Sequence, residues 1–528
     1  MALLLGGDPR YAWQVTTAQW FLDASERGNR RTALDRRHAD GKAWTEGNDV
    51  VPLVHGAAYF AELHRRVEDL RSGDLLVFVD WRGDPDERLL GEPGSEVSRL
   101  LCRAAERGVE VRGLVWRSHL DRVQFSATEN RHLGEDINAA GGQCELDMRV
   151  RPGGSHHQKF VVLRHPGRPE RDVAFVGGID LCHSRRDDSQ HHGDPQRQQM
   201  AAVYGKRPPW HDIQLMVTGP AVGDVETVFR ERWNDPQRLS RSPLRLLGDK
   251  VRKDQPSRPR PLPEQLPDPE PTGALPVQLL RTYPKRRPGY DFAPDGERSV
   301  ARGYTKAIKR ARQLIYLEDQ YLWSRHVAET FAQALRDNAG LRLVAVLPHH
   351  PDQDGRVSKP PNLIGREDAV RILRRAAGDR VAFYGVENHA GVPVYVHAKV
   401  CVIDDTWATA GSDNFNRRSW THDSELSVAV CDRGYARDLR RSLAKEHLDS
   451  EDADGLEPDA MFEAFAESAQ RLQRWHDGGR VGARPPGRLR PLEEPPLSRW
   501  TRLWATPLYR VVYDPDGRPP LQRLRGQF

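Results

Sequence analysis

The chain carries the same short pattern twice, a His-x-Lys triplet followed by a run rich in β-branched residues. The first copy reads Ser155-His156-His157-Gln158-Lys159-Phe160-Val161-Val162-Leu163, and the second reads Val396-His397-Ala398-Lys399-Val400-Cys401-Val402-Ile403-Asp404. On a strand, side chains two positions apart point to the same face. The His and Lys of each copy are therefore expected to converge on one ligand, and two such strands facing each other would share a single pocket.

These side chains suit phosphodiester chemistry without a metal ion. A neutral imidazole can attack phosphorus, a protonated imidazole can donate to the leaving oxygen, and two lysines can hold the charge of the phosphate. One His-x-Lys alone is weak evidence, because most copies of so short a pattern are exposed strand faces. Here each copy is followed by a Gly-rich turn and then by an acid that opens a new strand: Gly177-Gly178-Ile179-Asp180 and Asp212 in the first case, Gly411-Ser412-Asp413-Asn414 and Glu425 in the second.

The duplication extends to the predicted secondary structure. Each half begins with an amphipathic helix, over 59–70 and 300–311, that leads into an apolar strand ending in acidic and aromatic residues, over 75–81 and 314–321. A helical stretch and another strand follow, and each half closes with a charged helix, over 222–233 and 435–447. Strands that alternate with helices predict an α/β sandwich with a largely parallel or mixed sheet in each half.

Together these motifs resemble the phospholipase D superfamily, whose members carry paired His-Lys-Asp motifs. The second copy matches closely, through His397, Lys399, Asp404, the Gly411-Ser412-x-Asn414 turn and Glu425, and the first matches through His157, Lys159 and the Gly177-Gly178-Ile179-Asp180-Leu181 run. The glycine run, Pro209-Trp210-His211-Asp212 and the 315–321 segment look more like the lipid-hydrolysing phospholipases D than the family's small nucleases. The resemblance implies α/β class: two tandem phospholipase D-like sandwich halves that form one pseudo-symmetric bilobal unit with a shared active site.

The resemblance also implies roles for individual residues. His157 would attack phosphorus and form a phosphohistidine, and His397 would protonate the departing alcohol. The other expected participants are the catalytic Lys159, Lys399 and Asp404, the substrate-binding Ser412, Asn414, Asp180 and Gly178, and the histidine-orienting Asp212 and Glu425. The choice of His157 as nucleophile comes from the resemblance alone, because nothing in the sequence distinguishes the two halves.

One position departs from the family pattern. The acid five residues after the Lys is Asp404 in the second motif, but Arg164 stands in the first. An odd offset turns this position away from the His/Lys face, so the acid is expected to be structural. Asp172, which follows an inserted loop, is the candidate replacement, and Arg164 is then expected to be an exposed strand-end residue. Two alternatives remain: Arg164 enters the pocket as a phosphate ligand, or the first site is degenerate and inactive.

Composition narrows the classes of partner. The net charge of +5 is too small to indicate a nucleic-acid partner. No apolar stretch reaches the roughly 18 residues of a membrane span, the apolar run near the N-terminus is too short for a signal peptide, and five scattered cysteines indicate reduced thiols. We therefore predict a cytoplasmic monomer that meets its phospholipid substrate as a peripheral protein at a membrane surface.

No cofactor or metal ion is predicted. The histidines of the 183–192 loop and of the 349–350 pair lie in polar sequence without a Cys or carboxylate at ligand spacing, so they are expected to be surface residues.

Pro-rich segments predict the domain boundaries. The expected divisions are an N-terminal extension (1–50), the first half (51–236), an extended linker (237–275), the second half (276–450) and a helical, Pro/Arg-rich tail (451–528). The tail contains Trp500, Trp504, Tyr509 and Tyr513. Such aromatic residues either touch a membrane interface or dock onto the core, and docking is the more frequent use.

Three functions remain open on the sequence alone. The leading one is hydrolysis, or transfer, of the phosphatidyl group of a glycerophospholipid. The second is a related reaction, a cardiolipin synthase-like phosphatidyl transfer or nuclease activity. The third is a non-catalytic protein that keeps the fold, which the Arg164 replacement makes conceivable.

Overall fold

A computed structural model describes residues 16–117, 127–239, 259–355, 358–492, 497–525 and 528. The strands are β1 Thr45–Val54, β2 Leu75–Asp80, β3 Glu110–Trp116, β4 Gln143–Asp147, β5 Phe160–Arg164, β6 Val173–Gly177, β7 Trp210–His211, β8 Ile213–Thr218, β9 Leu275–Tyr283, β10 Glu297–Arg298, β11 Leu314–Glu318, β12 Arg342–Val346, β13 Val381–Glu387, β14 Pro393–Val396, β15 Val400–Ile403, β16 Trp407–Gly411, β17 Glu425–Val430 and β18 Leu489–Pro491. The helices are α1 Thr17–Trp20, α2 Ala24–Arg27, α3 Gly56–Glu68, α4 Val97–Glu106, α5 Ala127–Ala139, α6 Ala221–Trp233, α7 Ser299–Ile308, α8 Arg325–Asp337, α9 Lys359–Ala377, α10 Arg417–Thr421, α11 Arg433–Leu448, α12 Pro458–Asp477, α13 Arg499–Leu508 and α14 Pro520–Leu524.

The two halves contain equivalent mixed sheets. The strand order is β4-β3-β2-β5-β6-β8-β1 in the first half and β13-β12-β11-β15-β16-β17-β9 in the second. In each half three strands are parallel and the others antiparallel, and a short β1–β9 pairing joins the two sheets at their edges. The predicted α/β class with two tandem halves is confirmed.

The strand register places the repeated motifs in the middle of each sheet. β5 follows the first His-x-Lys and pairs with β2, with Leu76 opposite Leu163, while β15 follows the second and pairs with β11, with Ile315 opposite Ile403. Each motif therefore begins beside a strand that ends in acidic residues, Asp80 in one half and Glu318 in the other. The amphipathic and closing helices predicted from the sequence also form, with ends within a few residues of the predicted ones.

One hydrophobic core lies between the two sheets. It combines inward-facing residues of both halves, such as Val77, Val162, Val344 and Val402, with the buried sides of α6, α11 and α12. Two further clusters cover the outer faces, one over the first sheet with α3, α4 and α5 and one over the second with α7, α8 and α9. The shared inner core holds the facing motif strands against each other.

Parts of the predicted domain plan can be compared with these elements. The Pro-rich stretch 259–274 contains neither helix nor strand, and the rest of that stretch, 240–258, lies outside the described residues. β1 begins at Thr45, before the predicted start of the first half, and β18 of the tail pairs with β13. Among the described residues, no helix is long and apolar enough to cross a membrane.

The expectation that Arg164 is exposed is wrong. Its side chain is fully buried, where it forms ion pairs with Asp172 (2.9 Å) and Glu226 (3.0 Å) and donates to the Pro267 carbonyl (2.5 Å). Because these partners occupy the guanidinium, the alternative in which Arg164 binds phosphate is also contradicted. Sequence reasoning missed this because Glu226 lies on α6 and Pro267 in the Pro-rich linker, both far along the chain.

Asp404 and Asp172 make different structural contacts. Asp404 accepts hydrogen bonds from the backbone amides of Arg312, Gln313 and Leu314, so it fixes the entry into β11. Asp172 instead accepts from the backbone amide of His165 (2.7 Å) and holds its own hairpin. Both acids are structural in their contacts, although Asp172 does not take over the partners of Asp404.

We expect Arg164→Ala to lower the free energy of unfolding by about 3–5 kcal/mol, because it removes the buried cation that bridges Asp172 and Glu226, leaving Glu226 with only Arg230. Turnover per folded molecule should be unchanged. Arg171 is an exposed arginine of the same hairpin. Arg171→Ala is therefore the matched control, and it should change the free energy of unfolding by no more than about 0.5 kcal/mol. Denaturant unfolding and kinetics on the folded fraction test this; unchanged stability with a large loss of catalytic efficiency would contradict it.

Candidate active site

Each motif histidine is hydrogen-bonded to an acid of the opposite half. His157 Nδ1 lies 2.9 Å from Glu425 Oε2, and His397 Nδ1 lies 2.6 Å from Asp212 Oδ2. The sequence predicts both acids as histidine-orienting groups but does not predict which acid serves which histidine. An acceptor at Nδ1 places the proton there and leaves Nε2 available for chemistry.

Backbone hydrogen bonds hold these crossed pairs together. The amide of His157 donates to the Ser424 carbonyl (2.9 Å), and the amide of Ser424 donates to the Ser155 carbonyl (3.0 Å). In the equivalent place, β14 pairs with β7 and the amide of His397 donates to the His211 carbonyl (2.8 Å). Each His-x-Lys segment is thus anchored directly to the acid-bearing segment of the other half, so both halves are needed to build either pair.

The two motif lysines are buried beside the histidines. Each Nζ donates to the carbonyl of the histidine two residues earlier, Lys159 to His157 and Lys399 to His397. After burial, the positive charges of both lysines further lower the pKa of each histidine. The predicted residues His157, Lys159, His397 and Lys399 therefore form one electrostatically coupled site.

The glycine-rich turns pack under the orienting acids. A Cβ at Gly178 would collide with Asp212 Oδ1, so glycine is required for the close approach of these two segments. In the second half, Ser412 Oγ donates to Glu425 Oε2 (2.6 Å) and accepts from the Leu426 amide. Gly178 and Ser412, predicted as substrate-binding, thus contact the orienting acids, and Ser412 supports Glu425 as an acceptor.

Asp180 and Asn414 occupy equivalent positions but differ in charge. Asp180 lies 3.5 Å from both Lys159 and Arg185, whereas Asn414 is buried with Oδ1 lacking a hydrogen-bond partner among the described residues. Lys159 is therefore partly neutralised, whereas Lys399 has the neutral Gln320 at 3.5 Å. The two lysines, which are otherwise equivalent, therefore differ in the charge of this neighbouring side chain.

A buried acid accepts a backbone hydrogen bond from each glycine-rich turn. Asp80 accepts from the amide of Leu181 (2.8 Å), and Asp319 accepts from the amide of Phe415 (3.1 Å). Burial and then the Asp180 carboxylate raise the pKa of Asp80 well above its ordinary value, so Asp80 favours its protonated form. Burial likewise raises the pKa of Asp319 to about 6. Sequence reasoning noted that both strands end in acids but gave these two no role.

Burial sets the protonation of the site. It lowers the pKa of His157 and of His397 well below the ordinary value, and the nearby lysines add to the effect. Burial also raises the pKa of Glu425 to about 8, to which the neighbouring Asp423 contributes. The imidazoles are therefore uncharged near neutral pH, and the His157–Glu425 pair shares one titrating proton as a unit.

Aromatic side chains line the site. The ring of Trp81 lies 6.1 Å from that of His157 and stacks on Trp116, and the ring of Trp210 lies 4.9 Å from that of His397. The Arg185 guanidinium lies over Trp210, 4.0 Å from the ring centre. Arg185 adds a third buried cation to the two lysines, and sequence reasoning missed it because it follows the glycine run in an irregular loop.

A buried His–Glu network lies next to the orienting acids. His55, His191 and His211 surround the carboxylate of Glu446 at 2.8–3.2 Å, and His211 also contacts Glu318 at 2.7 Å. Four of these residues, His55, His191, His211 and Glu446, could hold a metal ion, as could His211, Glu318 and His447. The prediction that the histidines of the 183–192 loop lie at the surface is wrong for His191, which is fully buried.

The same contacts explain this network without any ion. Despite burial, Glu318 and Glu446 raise the pKa of His211 well above its ordinary value, so a protonated imidazole bridges two carboxylates. His211 precedes Asp212, and Glu318 precedes Asp319. The network thereby fixes the two segments that carry acids of the site.

Family models match both halves of the chain. The "Phospholipase D" model matches residues 79–258, and the "Cardiolipin synthase, PLD-like domain" model matches residues 304–446. Curated relatives include phospholipase D alpha 2 of Arabidopsis thaliana, 25% identical over 81% of this chain and 68% of its own length. Phospholipase D alpha 1 of Oryza sativa subsp. japonica is 26% identical over 75% of this chain and 65% of its own length.

A solved structure shares the fold. The phosphatidylserine synthase of Haemophilus influenzae Rd KW20 superposes with a TM-score of 0.53 at 13% sequence identity, covering 82% of this chain and 94% of its own. At this identity the likeness concerns the fold alone. The match extends over both halves, in agreement with the two equivalent sheets.

Proposed function

This chain belongs to the phospholipase D superfamily, and from that premise we propose that it is a phospholipase D-type phosphodiesterase acting on glycerophospholipids. The observation that carries the proposal is the pair of crossed His–acid contacts beside two buried lysines. These groups supply a nucleophile, a general acid and positive charge. The products would be phosphatidic acid and a free head-group alcohol.

The first step would form a covalent intermediate. Nε2 of His157 attacks phosphorus, while Glu425 in its ionised form accepts a hydrogen bond from the Nδ1–H group and stabilises the ring as it becomes positively charged. The bond from phosphorus to the head-group oxygen breaks, and His397, which takes up a proton from solvent when the anionic phosphate binds beside it, gives that proton to the oxygen. The result is a phosphatidyl group on His157, a neutral His397 and a released alcohol.

The second step would reverse these roles. Neutral His397 takes a proton from water, and the oxygen of that water attacks phosphorus as the bond to His157 breaks. If an alcohol enters in place of water, the same step transfers the phosphatidyl group. Hydrolysis and transfer therefore share one intermediate and differ only in the acceptor.

Three side chains are proposed to hold the phosphate oxygens. Lys159, Lys399 and Asn414 are buried, and hydrogen bonds to developing charge gain strength where water is excluded. Asn414 lies where Asp180 lies in the other half, and its amide nitrogen, unlike a carboxylate, can donate to a phosphate oxygen. Asp180 lies 3.5 Å from Lys159, whereas Asp212 and Asp319 act on Lys399, so both lysines are partly compensated in the free site.

One assay tests the reaction class. Purified protein is incubated with mixed phospholipid vesicles and ethanol, and phosphatidic acid and phosphatidylethanol are measured. Phosphatidic acid alone indicates hydrolysis, and both products indicate a partitioned intermediate. If neither forms while the protein cleaves DNA or joins two phospholipids, the proposal is replaced by a nuclease or a cardiolipin synthase-like enzyme.

Trapping assigns the nucleophile. Acid- or base-quenched protein is digested, and the phosphorylated peptide is identified by mass spectrometry. A modified peptide containing His157 supports the roles given above. A peptide that contains His397 and never His157 reverses them.

We expect catalytic efficiency to fall above about pH 8, because burial lowers the pKa of Lys399 to about 8. As pH rises through that value, the free enzyme loses a positive charge needed to bind phosphate. The fall should appear in kcat/KM and lie at higher pH in kcat, because bound phosphate favours the charged ammonium. In Lys399→Arg the residual activity should not fall in this pH range, because arginine keeps its charge. Identical falling limbs in kcat and kcat/KM would contradict the assignment.

A further inference from the structure

The exposed apolar side chains are concentrated in one C-terminal segment. In the part of the chain that the structure describes, ten large hydrophobic residues are exposed, and seven of them lie between positions 500 and 524. We call these seven the C-terminal apolar face: Trp500, Leu503, Trp504, Val511, Val512, Leu521 and Leu524. Contiguous exposed apolar surface is uncommon on monomeric proteins unless it binds something.

This segment is apolar on two sides. α13 continues into a wider helical turn over Tyr509–Tyr513, and Ala505 and Tyr509 on its inner side pack with Trp323 and Ile364. Trp500, Leu503 and Trp504 recur at the spacing of one helix side and remain exposed, Trp500 by 80%. The expectation that the tail aromatics dock onto the core is therefore correct for Tyr509 and wrong for Trp500.

Positive charge surrounds the C-terminal apolar face. Residues 497–525 contain six arginines and two aspartates. Asp514 is buried against Arg417, and Asp516 pairs with the buried Arg518 (2.8 Å) and with the exposed Arg523 (3.8 Å), so these two acids leave Arg499, Arg510 and Arg525 uncompensated. The exposed arginines are Arg499, Arg510, Arg523 and Arg525. A helix with bulky apolar side chains on one side and arginines at its margins fits the boundary between lipid headgroups and acyl chains.

The inner side of the segment is attached to walls of the active site. Tyr321 stacks on Trp323 at 3.9 Å, and Trp323 contacts Tyr509 at 6.1 Å; Tyr321 and Trp323 follow closely after Asp319 and Gln320. On the other side, Arg418 donates to the Val512 carbonyl (2.9 Å) and pairs with Asp423. The face is thus continuous with loops that lead to Lys399 and to Glu425.

We propose that the C-terminal apolar face is a bilayer-docking surface that inserts into the interface of a membrane containing anionic phospholipid. The proposal rests on the proposed function, since it places the site against the surface from which a lipid substrate would come. Trp and Leu side chains would enter the acyl boundary, and the arginines would bind phosphate groups. A bilayer fits better than a protein partner because exposed bulky apolar side chains and exposed arginines alternate along α13 and the helical turn that follows it.

The test variant replaces three exposed side chains of α13 and the helical turn that follows it. Trp500→Gln, Leu503→Gln and Val511→Gln are combined, because these side chains are exposed and their loss should leave the fold intact. Binding to phosphatidylcholine–phosphatidylglycerol vesicles is measured by flotation, and we expect a loss of about tenfold or more. Turnover on those vesicles should fall in parallel, whereas turnover of a monomeric short-chain phospholipid should stay within about twofold of wild type.

A matched control uses exposed apolar residues elsewhere on the chain. Leu90→Gln, Val203→Gln and Val481→Gln change the same number of exposed side chains. This control should bind vesicles and turn over substrate like wild type. In addition, brominated acyl chains should quench tryptophan fluorescence in wild type, and Trp500→Phe should remove part of that quenching.

Three results would overturn the proposal. The first is that the test variant still binds vesicles like wild type. The second is that its turnover falls equally on vesicles and on the short-chain substrate. The third is that sedimentation velocity shows changed self-association while vesicle binding is unchanged. The proposed reaction fails in a different way: wild type would bind vesicles through this face yet release no phosphatidic acid. Docking would then stand while the assigned chemistry would not.

Discussion

His157→Ala and His397→Ala should each reduce turnover by about 10⁴-fold or more, and the double variant should be no worse than either single variant. Residues that act as one chemical unit are not additive, because removing either one already removes the shared pathway. In the proposed reaction His157 forms the intermediate and His397 both protonates the leaving group and activates the acceptor. Neither step has a substitute among the described neighbours, since the lysines are held by the backbone carbonyls of the same histidines. The measurement is kcat with a soluble substrate.

His156 provides the matched control for this prediction. It adjoins His157 but is fully buried, with its Nε2 3.1 Å from Gln158 Oε1. His156→Ala should therefore cost stability while preserving turnover per folded molecule. His157→Ala should show the opposite behaviour, a large kinetic loss with a melting temperature close to that of wild type. A double variant far less active than both single variants would show that the histidines work independently and would refute the shared site.

The duplicated sequence pattern predicts the fold because local periodicity and the repeat agree. Apolar strands such as 75–81 and 314–321 are flanked by amphipathic helices in the same order in both halves. Only a few arrangements bury such strands, and a mixed sheet covered by helices is one of them. The strands form at these places, Leu75–Asp80 and Leu314–Glu318, and take equivalent positions in the two sheets.

The site could be predicted only in part, because the two halves of the sequence are equivalent. An exchange of the two halves leaves the sequence pattern unchanged, so the pattern cannot decide whether Asp212 serves His157 or His397. The decision depends on how the halves pack, through the β7–β14 pairing and the Ser155–Ser424 hydrogen bond. Long-range contacts of this kind leave no periodic signal in either segment.

Buried charge was the second source of error. Arg164 lies at the end of a strand and His191 in a polar loop, and charged or polar residues at such positions are usually exposed. Each is buried because its partners arrive from remote parts of the chain: Glu226 of α6 for Arg164, and Glu446 of α11 for His191. A paired charge can be buried where an unpaired one cannot, so exposure could be predicted only by knowing the partner.

Asp212→Asn should reduce kcat by about 10³–10⁴-fold with little change in KM, because it removes the acceptor that sets the tautomer of His397. The substitution keeps the size of the side chain but replaces an oxygen 2.6 Å from Nδ1 with an amide whose nitrogen can only donate. Glu425→Gln should act in the same way on His157, even though the two changes lie in opposite halves. Asp404→Asn is the matched control, because that acid contacts backbone amides of β11, and it should lower stability more than kcat.

The direction of the cross-half assignment can be tested with the trapped intermediate. If Glu425 supports the nucleophile His157, Glu425→Gln should suppress formation of the phosphohistidine. If Asp212 supports the general acid His397, Asp212→Asn should slow cleavage less for a substrate whose leaving group needs no protonation, such as a nitrophenyl ester, than for a choline ester. Equal losses on both esters in Asp212→Asn would place its effect on the nucleophile and refute the crossed arrangement of roles. The contacts themselves favour the crossed assignment, since each acid lies within hydrogen-bonding distance of the histidine of the other half.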